Sequence, residues 1–322
     1  MINNKAIKNK VNLINRRLNR MRKAGPKSVR FLFKQMKLMS GKRIRGLLVL
    51  LTAEINTKPK QSAFNTAVAM ELLHNATLIH DDIVDNSPKR RGGRTLNRKL
   101  GHEFSVLAGD YLFSGVTSIV FRENNRELLR LFTEAIRDVC EGEIEEVYNK
   151  NRAGLPEKHY LGIISKKTAS LMQASVEAGA VLGGIKGAGL KSLKSFGRNM
   201  GMAFQIKDDI LDITSSSKKL GKPAASDIKE GKVTLPLILA LKKAGKNSRK
   251  KIQRVLNSRN DTEKVKQAAA IIRRFGGIAL AEQKAAEYLV KAKAALKRVK
   301  AKNKAKKRML EELAEYAINR NY

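Results

Sequence analysis

The chain of 322 residues has one cysteine, Cys140, which excludes an intrachain disulfide framework and fits a reducing cytoplasm. Prolines are few. Pro26, Pro59, Pro88 and Pro156 fall in polar stretches that read as loops, and Pro223 and Pro236 flank another. No Gly-, Ser- or Pro-rich linker is long enough to separate domains, so residues 1–322 read as a single domain. β-branched alternation is scarce, which argues against a β architecture. No run of ~18 apolar residues is apparent, so no bilayer span is expected, and no secretory signal follows the first residues. Acidic residues are absent from 1–53, and the whole chain carries 66 Lys and Arg against 29 Asp and Glu, a net charge of +37. Such an excess calls for anionic partners: phosphorylated small molecules, an anionic membrane or nucleic acid.

What is abundant is helix-forming sequence. Apolar residues recur at helical spacing, as in Val11, Ile14 and Leu18, then Ile44, Leu47, Leu48 and Leu51, then Ala67, Met70, Leu73 and Thr77. The pattern predicts further helices over 103–121, 126–149, 159–184, 190–213, 232–244, 262–274, 278–299 and 306–317. Breaks are expected at Gly41, Pro59, Ser87-Pro88, Gly92-Gly93, Gly154-Leu-Pro156, Gly187–Gly189, Ser215–Ser217 and Gly276-Gly277. The fold class is therefore all-α. The Lys- and Arg-dense segment 291–308 suits either an exposed helix or a loop.

One short motif occurs twice. Leu78-Ile-His-Asp-Asp-Ile-Val-Asp85 resembles Gln205-Ile-Lys-Asp-Asp-Ile-Leu-Asp212. On a helix, Asp81 and Asp85 lie one turn apart on one face, as do Asp208 and Asp212. Like charges so placed repel, and burying them requires cations. Magnesium is held by one or two carboxylates together with water and substrate phosphates, so such pairs suit a metal-mediated diphosphate site. No His/Cys spacing suggests zinc, and no P-loop is present. Arg and Lys near these motifs supply phosphate donors: Lys42 and Arg45 in Gly41-Lys-Arg-Ile-Arg45, Arg90-Arg91, Lys167-Thr168 and Lys222.

In this order, with His74, Ala108-Gly-Asp-Tyr-Leu112, Phe204-Gln205, Gly221-Lys222-Pro and Glu230-Gly-Lys-Val-Thr-Leu-Pro236, the sequence resembles the trans-type polyprenyl (isoprenyl) diphosphate synthases, closest in character to medium- and long-chain members. The resemblance runs from Gly41 to about Ile238 and returns at Leu313–Arg320. It implies an isoprenoid-synthase-type helical bundle around a deep central cavity, a homodimer, three Mg2+ ions, and head-to-tail condensation of isopentenyl diphosphate with an allylic diphosphate. Asp81, Asp85 and Asp208 would hold metal, supported by Asp82, Asp209 and Asp212. Arg90, Lys167, Gln205 and Lys222 would meet the allylic diphosphate. Lys42, Arg45, His74 and Arg91 would bind isopentenyl diphosphate, and Thr168 and Gln205 would lie near the developing cation. Departures are few: Ser40 and Gly46 replace a usual glycine and proline, and Gly93-Arg94 stands where a proline is common.

Ala76 and Thr77, both small, sit about one turn before Asp81 and suggest a cavity floor deeper than in short-chain members, near Leu73 or Met70 with Phe113 or Val116. A short-chain synthase is the alternative. The basic ends suggest peripheral contact with an anionic membrane. A basic nucleic-acid-binding helical protein is the rival from another class, but no recognition motif or interleaved aromatics support it, so no nucleic acid is expected. A terpene cyclase of the same fold would not carry the second complete Asp motif, and the intact motifs disfavour a non-catalytic subunit.

Overall fold

The structure, a computed structural model, describes residues 5–36, 41–214, 225–258 and 261–318. Helices dominate: α1 (Lys5–Lys23), α2 (Lys27–Gln35), α3 (Ile44–Ala53), α4 (Gln61–Val84), α5 (Leu96–Arg122), α6 (Arg126–Tyr148), α7 (Glu157–Ile164), α8 (Ser170–Leu182) and α9 (Gly187–Thr214). They are followed by α10 (Ser226–Lys229), α11 (Leu235–Leu256), α12 (Asp261–Arg274), α13 (Gly277–Lys297) and α14 (Lys304–Ile318). Among the described residues the strands are β1 (Lys89–Arg90) and β2 (Gly93–Arg94), an antiparallel pair.

Three apolar clusters hold the bundle together. One joins α1–α6 and α8 through side chains such as Phe33, Leu72, Leu112 and Leu171. A second joins α7 and α9–α13 through Ile206, Leu237 and Ile272. The third joins α1, α3, α8, α9, α13 and α14 through Leu48, Phe196, Leu296 and Leu310. α8 and α9 each serve two clusters, and α3 is buried along its whole length. Its continuous apolar run therefore packs on all sides, as such helices must.

The expected helices are present, with three differences. Residues 159–184 are helical without a gap as far as Leu182, but a π-turn over Ser165–Ala169 lies between α7 and α8. The expected 232–244 helix continues past a break at Gly245 (φ 80) to Leu256. The basic segment 291–308 is helix up to Lys297, then a break, then the start of α14. The break expected at Ser215–Ser217 lies outside the described residues. Among the described residues α5 is long and apolar enough by length and composition to cross a membrane, although Asp110 and several Gly and Ser residues interrupt it and it holds no continuous apolar run. It packs against α4 in the bundle.

Gly46, where the resembling family has proline, has a local reason. Its N–H donates to the buried Glu71 Oε1 at 2.9 Å, a bond no proline can make. An added Cβ there would meet Ile14 at 2.8 Å, so glycine also admits α1 onto α3.

Candidate active site

A cavity of about 390 Å³ lies between α4 and α9, and both acidic motifs reach it. Asp81 and Asp85 line it from the end of α4, and Asp208 and Asp209 line it from α9. Arg45, His74, Thr77, Arg90, Arg91, Lys167, Thr168 and Gln205 line the same cavity. Residues from 45 to 209 thus converge on one space, as the repeated motif predicts.

The other aspartates hold the site's frame. Asp82 is buried and accepts from Arg90 Nε at 2.6 Å, tying α4 to the β1–β2 hairpin. Burial pushes its carboxyl up to about 6, against the opposing pull of Arg90. That hairpin follows the short loop expected after Asp85 and presents Arg90 and Arg91 together. Asp209 accepts from Tyr160 Oη at 2.6 Å and from Gln205 Nε2 at 2.7 Å. Burial, with Asp227 nearby, holds Asp209 well above the usual carboxylate range. Asp212 does not join Asp208 on the cavity wall, although helical spacing puts the two on one stripe. It is 1% exposed, accepting from Ser226 Oγ at 2.9 Å and Asp227 N at 3.1 Å at the start of α10.

The cationic side is built by several elements. Lys167 stands in the π-turn, where an extra residue per turn re-aims the side chains. It pairs with Glu143 and, at 2.6 Å, with Glu146. Burial alone would lower Lys167, but Asp81 and Glu146 outweigh it and keep the ammonium charged. Thr168 Oγ1 donates to Gln205 Oε1 at 2.8 Å, so the π-turn and α9 meet inside the cavity. His74 is held well below its ordinary value, first by burial and then by Arg45, Arg91, Arg90 and Arg43. Its imidazole is therefore neutral.

Several residues that sequence reasoning passed over belong here. Lys232, within the Gly-Lys-Val-Thr stretch, lines the cavity and reaches Asp85 Oδ2 at 2.5 Å, while Lys150 lies 3.4 Å from Asp85 Oδ1. Burial raises the Asp85 carboxyl, but Lys232 and then Lys167 and Lys150 bring it net below its usual value. Glu143 and Glu146 also went unnoticed. Their signal was the acidic run Glu141–Glu146, which faces the Lys166-Lys167 pair across the turn.

Besides Asp82 and Asp212, two more predicted residues, Lys42 and Ala76, are off the cavity wall. Lys42 is exposed, off the cavity wall, with Nζ 4.9 Å from the Tyr316 ring centroid of α14. Its neighbour Arg43 is the buried one, donating to Asn15 Oδ1 at 2.8 Å and lying 3.5 Å from Glu71. Ala76 is fully buried in the α4–α5 core and is not a wall residue, whereas Thr77 is. The reason is helical phase: Thr77 lies four residues before Asp81 on the same face, and Ala76 is turned roughly 140° away. Leu73, Met70 and Val116 are likewise core residues, and Phe113 packs against that core. The apolar wall comes instead from Leu78, Val139, Leu171 and Phe204, with Leu155, Ile163 and Ile164. Lys222 and Ser40 lie outside the described residues.

Among the described residues no three His, Cys, Asp or Glu side chains come close enough to hold a metal ion by themselves. The donors on the wall are carboxylate oxygens, the set that suits a hard cation also bound by phosphate and water. The donor chemistry therefore fits a diphosphate-bridged Mg2+ and does not fit a preformed cage.

Known proteins resemble this chain in sequence and fold. Residues 27–272 match the polyprenyl synthetase family. A short chain isoprenyl diphosphate synthase from Methanothermobacter thermautotrophicus is 37% identical over 257 residues, covering 79% of this chain and 79% of its own. An octaprenyl diphosphate synthase from Haemophilus influenzae is 32% identical over 282 residues, covering 88% of this chain and 85% of its own. The crystal structure of a polyprenyl synthase from Caulobacter crescentus, complexed with calcium and isoprenyl diphosphate, has a TM-score of 0.89 and 35% identity, covering 99% of this chain and 96% of that one. The bundle is thus the isoprenoid-synthase helical fold, and with two aspartate motifs facing a cation-lined cavity the chain belongs to the polyprenyl synthetase family of prenyltransferases.

Proposed function

We propose that the chain is an E-polyprenyl diphosphate synthase that condenses isopentenyl diphosphate head to tail with an allylic diphosphate, using three Mg2+ ions and giving a medium- to long-chain product. The observation that carries this reading is the convergence of Asp81, Asp85 and Asp208 on one cavity with Lys167, Lys232, Arg90 and Arg45. Asp81, Asp85 and Asp208 would hold the metal, which supplies Lewis-acid stabilisation of charge on the departing pyrophosphate. Lys167, Lys232 and Arg90 are charged and aimed at the same space, so they stabilise that charge without reorganising. Lys222 belongs with them by family resemblance. Arg45 and Arg91 anchor the second diphosphate, and the neutral His74 donates or accepts a hydrogen bond beside it. Lys42, exposed and three residues before Arg45, adds positive charge that would attract that anion. Thr168 and Gln205, locked to each other, present oxygen towards the developing carbocation. The apolar wall keeps water from trapping that cation.

The same proposal includes a cytoplasmic homodimer. α5 and α6 expose a band of large apolar side chains: Phe104 (49%), Leu107 (61%), Tyr111, Phe121 (73%), Ile144 (68%) and Tyr148 (84%). A band of this size on one face suits burial against a second copy.

Incubating the protein with isopentenyl diphosphate, Mg2+ and a set of allylic primers, followed by chromatography, tests the function. Asp81→Ala and Asp208→Ala should each lower turnover by orders of magnitude with the helical content unchanged. Near-normal prenyl transfer by either variant rejects the reading.

A further inference from the structure

Three basic segments, far apart in sequence, meet at one end of the bundle. Glu54, buried just past α3, pairs with Lys10 of α1 and with Lys306 of α14, the latter at 2.8 Å. Asn303 N donates to Ile55 O at 2.8 Å, and Lys302 N donates to Asn56 Oδ1 at 3.2 Å. These bonds set the 298–303 turn against the loop that precedes α4. Beneath them, Ile7, Ile55, Val299 and Leu310 share one apolar cluster. Between 297 and 308 every ionisable residue is Lys or Arg, and the same holds for 55–60 and for all of α1. Lys58, Lys60, Lys300, Lys302 and Lys304 are exposed on this face, with Lys5 and Lys8 at its edge.

The direction of the face relative to the active site is fixed by two contacts. α3 and α14 run antiparallel: Lys42 meets Tyr316 at one end and Glu54 meets Lys306 at the other. Arg45, at the first end, lines the cavity, so the basic face is at the opposite end. α4 gives the same answer. Lys60 immediately precedes its first residue, and Asp81 lies about 30 Å further along at ~1.5 Å per residue. On α4 the cavity wall runs from Asp81 back through Leu78 and Thr77 to His74, so a hydrocarbon anchored by its diphosphate near Asp81 would lengthen towards the N-terminal end of α4, which is the basic end.

We propose that this face docks on an anionic lipid bilayer, so that the lengthening tail of the product points at the membrane while the diphosphate stays in the cytosol-facing mouth. The tail direction rests on the polyprenyl synthase reading; the docking does not. Charge complementarity favours lipid: a dense patch of exposed Lys is attracted to the surface potential of anionic leaflets. Nucleic acid is disfavoured because none of the three segments contains an aromatic residue on which a base could stack.

The test is sedimentation of the full chain with phosphatidylcholine vesicles and with vesicles that also contain phosphatidylglycerol. The wild-type protein should sediment with the anionic vesicles only and be released by salt. The set Lys300→Glu, Lys302→Glu and Lys304→Glu should bind at least about tenfold more weakly. The control set Lys246→Glu, Arg249→Glu and Lys250→Glu, an equal charge change on α11, should bind within about twofold of wild type if docking belongs to this face. Circular dichroism checks folding, and Lys→Gln at 300, 302 and 304 replaces the reversal set if that set fails to fold. Equal binding to both vesicle types, or equal loss in the control set, overturns the proposal. So does displacement from vesicles by duplex DNA at a lower phosphate concentration than that of the lipid. Prenyl transfer to a short soluble primer, measured on the same variants, should be unchanged; its absence in the wild type would count against the proposed function and leave the docking result standing.

Discussion

Glu143 shows how one side chain couples stability to the charge of the site. Burial, reinforced by Asp81 and Glu146, pushes its carboxyl up to about 7, while Lys167 pulls the other way. A carboxyl raised in the folded state favours folding while it stays protonated. That contribution is complete below the unfolded value near ~4.5 and is lost as pH rises through about 7. Glu143→Gln keeps a neutral side chain at every pH. The variant's thermal midpoint relative to wild type should therefore be higher at pH 8 than at pH 5.5, measured in parallel melts without metal. A difference that is constant across that range would mean that Glu143 stays ionised in the fold. The same residue marks where sequence reasoning stopped at this scale. Asp81, Asp85, Asp208, Arg90 and Lys167 were legible because repeated aspartates and clustered cations in apolar helices carry a known electrostatic cost. Glu143, Glu146 and Lys232 were not, because each looks like a surface charge until packing brings it against an opposite one. Arg43 and Arg45 make the point more sharply: two arginines in one motif, one neutralised in the frame by Glu71 and one left to line the cavity.

At the scale of elements, the π-turn places Lys167 and Thr168, and two glycines allow it. A Cβ on Gly142 of α6 would lie 2.5 Å from Lys167 N, and one on Gly201 of α9 would lie 2.5 Å from Ala169 Cα. Both neighbours are backbone and cannot swing aside. Gly142→Ala should therefore cost roughly 1–3 kcal/mol, the usual range for overpacking. It should also raise the KM for the allylic diphosphate by displacing Lys167, with a smaller effect on the KM for isopentenyl diphosphate. Thermal denaturation and steady-state kinetics with each substrate varied check both; wild-type values would show that α6 can retreat freely. The helices themselves were readable because apolar periodicity reports which face is buried. The π-turn was not, since Ser165-Lys-Lys-Thr-Ala169 has ordinary helical composition and its extra residue is imposed by contacts with α6 and α9. The β1–β2 hairpin was missed for a related reason: strands of two residues leave no periodic pattern.

For the whole molecule, two properties follow from what the bundle leaves open. The first is assembly. If the apolar band on α5 and α6 is covered by a second copy, Leu107→Asp should shift the protein from dimer to monomer in size-exclusion chromatography with light scattering; an unchanged mass places the interface elsewhere. The second is product length, which family membership does not decide, because relatives of comparable identity make short-chain and octaprenyl products. The cavity wall must decide it. On the face of α4 that carries Asp81, the residue one turn before it is Thr77, a small side chain on the wall. The residue that phase removes from the wall, Ala76, is packed at 0% exposure between α4 and α5. A bulky substitution at 76 therefore strains the core as well as narrowing the route, whereas one at 77 projects directly into the cavity. Thr77→Phe should shorten the product while the first condensation keeps a rate within about tenfold of wild type, because the aspartates and the phosphate-binding cations are untouched. Ala76→Phe should shorten it too, but with a measurable fall in thermal stability of roughly 1–3 kcal/mol. Product chromatography alongside thermal melts separates the two. A wild-type enzyme that stops at a farnesyl-length product would show that the floor already lies at Thr77, and the medium- to long-chain assignment would fail.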